Sequence, residues 1–221
     1  LESSTTYPLL LNLMLKVHQG VMSTAQLAKA VELLASFILR RFVCTDTSRP
    51  YGRWFVTACQ NLSPDPVTGL RAFLVSKGFP DDERFKRYFR TTDIYSSRYN
   101  RSVLEALEQA QGHRESASLS EASIEHIMPQ TLTETWHSDL GEESMLVHRE
   151  WLHTIGNLTL SAYNQELYNR AFAEKKQRYA DSNIVITRQL AARDRWTEEE
   201  IKERGATLAN LAATIWIGPG A

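Results

Sequence analysis

Cysteine is nearly absent: Cys44 and Cys59 are the only two in 221 residues, and no CxxC spacing occurs. That excludes a disulfide-stapled scaffold and a thiolate zinc site, and it points to free thiols in a reducing cytoplasm. No apolar run is long enough to span a bilayer; Leu9-Leu10-Leu11 is typical. No signal-peptide pattern opens the chain, and Leu1 stands where an initiator Met is usual, so the sequence reads as part of a longer protein. There is also no excess of one charge. The net charge is −1, so any nucleic-acid contact must come from a local basic patch rather than a global positive field. What remains is 43% hydrophobic and 23% charged, the composition of a folded globular protein.

The first half reads as helical. Ser23 or Thr24 can cap a helix in which Leu27, Val31, Leu34 and Ile38 recur at three- and four-residue steps. It runs to Arg40-Arg41, basic residues suited to the negative end of a helix dipole. Further helices are expected at 8–15, 54–59, 70–76, 81–88 and 101–110, separated by Ser63-Pro64-Asp65-Pro66, Gly69 and Gly78-Phe79-Pro80. Residues 1–115 are therefore expected to be an all-helical module. The polar stretch 111–116 is the candidate linker to a second domain, 116–221.

Beyond the linker the texture changes. Residues 122–127 and 157–160 are short strand candidates, the first ended by Pro129 and the second preceded by Gly156. Weak helical character covers 142–153, and a helix is favoured over 164–179. Thr197 and Glu200 form a capping box for a last helix with an Ile201, Leu208, Leu211, Ile215 stripe, stopped by Gly218-Pro219. The five Trp residues are expected to pack.

Three pieces carry chemistry: Glu125-His126-Ile127-Met128-Pro129, Ile155-Gly156-Asn157-Leu158-Thr159-Leu160, and Asn164 at a helix start. If the two strands pair, strand, strand and helix make a compact ββα unit. Glu125 and the Asn164 amide oxygen offer hard oxygen ligands to one divalent cation, Mg²⁺ or Mn²⁺, with water and phosphate completing the shell. A neutral His126 beside it can deprotonate water for attack on a phosphodiester. Adjacent strand residues point to opposite faces, so Glu125 and His126 can share a site only through a bulge or at a strand end. His18, His113, His137, His148 and His153 show no ligand spacing.

With those motifs in order, the region from about 116 to 217 resembles the HNH (His-Me finger) nuclease core. More closely, it is similar to the C-terminal nuclease domain of GmrSD-type modification-dependent restriction enzymes and their phage-defence relatives. Asn169, Phe172, Lys175-Lys176, Tyr179, Trp196-Thr197, Ile201, Arg204 and Ile215-Trp216 extend the likeness. The resemblance implies a mainly α fold with a small ββα-metal core, and a DNA endonuclease or nickase of restriction or anti-phage defence. It implies His126 as general base, Glu125 and Asn164 as metal ligands, and Asn157 as the residue that orients the base or braces its loop. Asn169, Arg170, Lys175 and Lys176 become candidate phosphate contacts. The nucleotide-hydrolysing N-terminal domain usual in such proteins has no counterpart here, so it is expected as a regulatory partner elsewhere in the full-length chain. Two other readings stay open: a catalytically silent DNA- or protein-binding module, and an RNA-directed nuclease on the same site.

Overall fold

The computed structural model describes residues 3–60, 62, 65–112, 119–162 and 164–220, apart from the side chains of Asn164 and Gln165. Ser63 and Pro64 of the expected breaker, and residues 113–116 of the expected linker, lie outside that description. The chain divides into two compact units, residues 1–85 with 216–221, and residues 86–215.

The first unit is built from α1 (Tyr7–His18), α2 (Thr24–Val43), α3 (Tyr51–Gln60), α4 (Pro66–Ser76) and the first half of α5 (Asp82–Phe89). α2 starts where the sequence predicts. Ser23 Oγ accepts from the Gln26 N–H at 3.1 Å, and the Gln26 side chain accepts from the Ser23 N–H at 2.9 Å. Its buried face includes Leu33, Leu34 and Phe37, and it packs on α4 while α1 packs on α3. Arg40 and Arg41 do not sit at a solvated helix end. Both are buried, and their guanidinium groups donate mainly to carbonyl oxygens, with Arg41 Nε left without a partner among the described residues. Arg40 donates to Trp216 and Pro80 and pairs with Asp82 at 2.6 Å; Arg41 donates to Lys77, Gly78 and Thr47. They act as rigid forks that tie loop carbonyls to α2, which a dipole argument does not foresee. Both cysteines are free, Cys44 buried and Cys59 partly so.

The second unit continues α5 and adds α6 (Asn100–Gln109), β1 (Ser123–His126), α7 (Glu134–Leu140), α8 (Ser144–Trp151) and β2 (Leu158–Ser161). It then completes with α9 (Asn164–Leu167), α10 (Phe172–Ala180), α11 (Val185–Arg188) and α12 (Glu198–Ile215). The two strands pair antiparallel in the register Ser123↔Ser161 to His126↔Leu158. The architecture is thus mainly α with one small sheet. Ile127, Met128, Trp136, Leu167, Phe172, Tyr179, Trp196 and Ile201 form the core beneath it.

The helix predicted over 164–179 is broken. α9 ends at Leu167, Tyr168 takes φ +32°, and α10 begins only at Phe172. At the break the Arg170 carbonyl accepts from Trp136 Nε1 at 3.0 Å, so a tertiary partner substitutes for a helical one.

α12 begins at the expected capping box, with the Thr197 N–H donating to Glu200 Oε2 at 2.9 Å. It then clamps the turn before β2. Arg204 donates to the carbonyls of Ile155, Gly156, Leu158 and Ile186, and Gly156 lies so close to Ile201 that a Cβ there would collide with its carbonyl. Among the described residues no helix is long and apolar enough to cross a membrane.

Candidate active site

The strand register is regular across Glu125 and His126, so no bulge brings them together. They meet because His126 is the last residue of β1, where the strand opens onto a pocket. That pocket, about 270 Å³, is lined by Glu125, His126, Pro129, Gln130, Tyr95 and Asn169 among others.

Glu125 is almost wholly buried. Its Oε1 accepts from Lys175 Nζ at 2.6 Å and from the Tyr179 hydroxyl at 3.4 Å. Lys175 Nζ also donates to the His126 carbonyl at 2.9 Å, which fixes the end of β1 to α10. Burial pushes the Glu125 carboxyl upward while the Lys175 ammonium opposes it, and burial pushes Lys175 downward against the same partner. Tyr179, fully enclosed, is pushed well up by burial and by the neighbouring carboxylate.

His126 has a different surround. One ring nitrogen, Nε2, lies 3.1 Å from His153 Nδ1; the other, Nδ1, lies 3.3 Å from Gln130 Nε2. Tyr95 stacks on His153 with ring centroids 5.0 Å apart and meets His126 edge-on at 4.4 Å. Burial, then the neighbouring His153, Lys175 and His148, pull the His126 pKa down to about 3. The imidazole is neutral at physiological pH, with one ring nitrogen unprotonated.

Asn157 lies elsewhere. It is fully buried and has no exposed donor or acceptor left. Oδ1 accepts from the Met128 N–H at 2.7 Å and from Trp196 Nε1 at 3.1 Å; Nδ2 donates to the carbonyls of Met128 and Leu152. Of the two roles the resemblance implied, this geometry is that of the brace. Asn157 cross-links the loop after His126 to the turn before β2 and does not touch the imidazole, so it is not placed among reacting atoms. His148 adds a second brace, donating from Nε2 to the Pro129 carbonyl at 3.0 Å.

The candidate phosphate contacts divide. Asn169 lines the pocket. Arg170 is exposed and pairs with Glu174 at 3.4 Å, and Lys176 reaches Asp194 at 3.1 Å. Lys175 cannot meet a phosphate from solvent, because its side chain is 0% exposed and spent on Glu125. A Lys-Lys pair on a helix signals two cations, but α10 turns one of them into the core.

Among the described residues, no cluster of three or more His, Cys, Asp or Glu is arranged to hold a metal ion. A hard Mg²⁺ needs less, since one or two protein oxygens with phosphate and water suffice. Glu125 fits that requirement on one point. Both of its bonds among the described residues fall on Oε1, which leaves the Oε2 edge for a ligand, and Lys175 supports the ionised form. The side chain of Asn164, the second expected ligand, is outside the described residues.

Sequence reasoning missed His153, Gln130 and Tyr95. Gln130 directly follows the Glu125–Pro129 motif, but nothing in its spacing turns it back onto His126. His153 and Tyr95 come together because Ile94 and Tyr95 N–H groups both donate to the His153 carbonyl, at 3.0 and 3.3 Å.

Comparison with curated proteins gives no match. The family model for the C-terminal domain of GmrSD restriction endonucleases matches residues 79–211. That stretch covers nearly all of the second unit, with the strand pair, the pocket, the buried Glu125–Lys175 pair and the Asn157 brace. With well over half of its length so matched, the chain belongs to the family of GmrSD restriction endonuclease C-terminal domains.

Proposed function

We propose that this domain is a metal-dependent DNA endonuclease or nickase of the HNH type, with the β1–β2 pair and the helices after it serving as its ββα core. The observation that carries the reading is the placement of His126, a neutral imidazole at a strand end, beside a carboxylate on the wall of one pocket. In the reaction a water molecule attacks the phosphorus while its proton passes to a ring nitrogen of His126. The bond from phosphorus to the departing sugar oxygen then breaks, and that oxygen takes a proton from solvent. An anionic phosphate in the pocket favours the imidazolium, and so raises the low proton affinity of His126 toward that of a working base. Glu125, through Oε2, and Asn164 would hold one Mg²⁺ or Mn²⁺, whose chemistry is to stabilise charge on the scissile phosphate and the departing oxygen. Asn169, Arg170 and Lys176 contact the DNA backbone.

In the full-length protein this domain is the effector of restriction or anti-phage defence in the cytoplasm, under control of a separate nucleotide-hydrolysing domain. The test is nicking or cutting of supercoiled plasmid with Mg²⁺ or Mn²⁺ present, compared with EDTA and with His126→Ala. Side-by-side RNA substrates separate a DNA enzyme from an RNA enzyme. A tight, salt-sensitive gel shift that needs neither metal nor His126, without cleavage, would instead make it a binding module.

A further inference from the structure

We propose that His153 is the positioning residue of His126: it accepts a hydrogen bond from Nε2–H and so leaves Nδ1 as the proton-accepting atom that faces the pocket. The inference rests on the reading of His126 as general base. Three contacts on the ring lead to it. The Gln130 amide nitrogen, 3.3 Å from His126 Nδ1, has only protons to offer, so Nδ1 is the acceptor of that pair. A neutral imidazole carries one proton, which then belongs to Nε2. Nε2 lies 3.1 Å from His153 Nδ1, and an N···N contact of that length needs one donor and one acceptor. His153 Nδ1 is therefore the acceptor, and His153 carries its own proton on Nε2.

The arrangement is held from outside the pair. Tyr95 lies flat on the His153 ring, with an interplanar angle of 10°, and its hydroxyl lies 3.4 Å from the same Gln130 nitrogen. The His153 carbonyl is gripped by the Ile94 and Tyr95 N–H groups, and the Asp93–Thr154 bridge continues that pairing. Thus the residue that orients the base comes from the turn after α8, four positions before Asn157, while Asn157 holds the loop.

The test uses the full 221-residue chain and three variants. His153→Asn places an amide oxygen where Nδ1 stood and keeps an acceptor. His153→Phe keeps the ring on Tyr95 and removes the acceptor. His153→Ala removes both. Long-range ¹H–¹⁵N NMR of the imidazoles reads the tautomer directly, with no need of catalysis. Wild type is expected to show an unprotonated His126 Nδ1, His153→Asn to keep it, and His153→Phe and His153→Ala to give a mixture. In the plasmid assay, kcat is expected to fall by about 10- to 100-fold in Phe and Ala with KM little changed. That is a fraction of what a positioned general base contributes. His153→Asn is expected to restore kcat to within a few-fold. A protonated His126 Nδ1 in the wild type overturns the proposal, and so does a Phe variant with wild-type kcat and tautomer. If no form of the chain cleaves nucleic acid, the reading as a nuclease fails while the tautomer measurement still decides the pairing.

Discussion

Replacing Lys175 by Met removes the ammonium that faces Glu125 inside the domain. The two side chains are 0% and 3% exposed, so water cannot take over from the lost partner. Among the described residues, what remains around the carboxylate is the Tyr179 hydroxyl at 3.4 Å, and the His126 carbonyl loses its 2.9 Å donor as well. Breaking one partner of a buried pair costs about 3–5 kcal/mol, most of it the desolvation of the charge left behind. The loss depends on pH in a definite direction. Burial already holds the Glu125 carboxyl above its usual value, and removing Lys175 moves it further up. A group whose folded pKa is raised contributes stability below its unfolded pKa, and that contribution disappears as pH rises through the folded value. Lys175→Met is therefore least damaging near pH 4.5. Its own stability then falls with pH, and its deficit against wild type widens, by up to about 1.4 kcal/mol per pH unit, once pH passes the wild-type carboxyl's own raised value. Urea unfolding followed by circular dichroism, at pH 5 and pH 8, reads both quantities. The double variant Glu125→Gln/Lys175→Met is expected to lose less than Lys175→Met alone at pH 8, because no charge is stranded. A Lys175→Met protein within about 1 kcal/mol of wild type at pH 8, with no pH slope, would refute the buried pair.

Asn157→Ala leaves the Met128 N–H, the Trp196 Nε1–H and two carbonyls without partners in a closed interior. At about 1–3 kcal/mol for each orphaned group, a loss of about 3 kcal/mol or more is expected in urea unfolding. Gly156→Ala drives a methyl into the Ile201 carbonyl and is expected to cost about 1–3 kcal/mol. Gly205→Ala, inside α12 with nearest neighbours at 3.8 Å or beyond, gains about 0.5–1 kcal/mol. Thermal melts of this pair must move in opposite directions. For His126 the folded pKa is depressed, to about 3 against about 6.5 unfolded, so its contribution is complete above 6.5 and is lost as pH falls toward 3. At pH 5 in EDTA that amounts to about 2 kcal/mol, and His126→Gln is expected to remove this part of the acid slope.

Much of the fold was legible because local chemistry decided it. Ser23 starts α2 and the Thr197–Glu200 capping box starts α12 where the sequence places them, and β1 and β2 fall on the two short strand candidates. Legibility stopped where a tertiary partner overrode a local preference. The helix over 164–179 breaks at Tyr168, and Arg40-Arg41 turns inward to collect carbonyls rather than facing solvent. The site shows the same division. The nearness of Glu125 and His126 is given by their motif, and the end of β1 places both on the wall of one pocket. Lys175, expected as a phosphate contact, is buried instead, because sequence cannot tell which of two adjacent lysines a helix turns inward. His153 shows no ligand spacing in the sequence, and its place beside His126 depends on a bridge to residues 93–95, some sixty positions upstream.

The most direct measurement is the cleavage of supercoiled plasmid by the wild-type chain and by His126→Ala, with Mg²⁺, Mn²⁺ or EDTA. Both proteins must first be shown folded by circular dichroism. Wild type is expected to convert the plasmid to nicked or linear DNA only with metal present, and the variant to lose about 10²–10⁴-fold of that activity. Equal cleavage by the two proteins, or intact plasmid with every metal from a folded wild type, would contradict it.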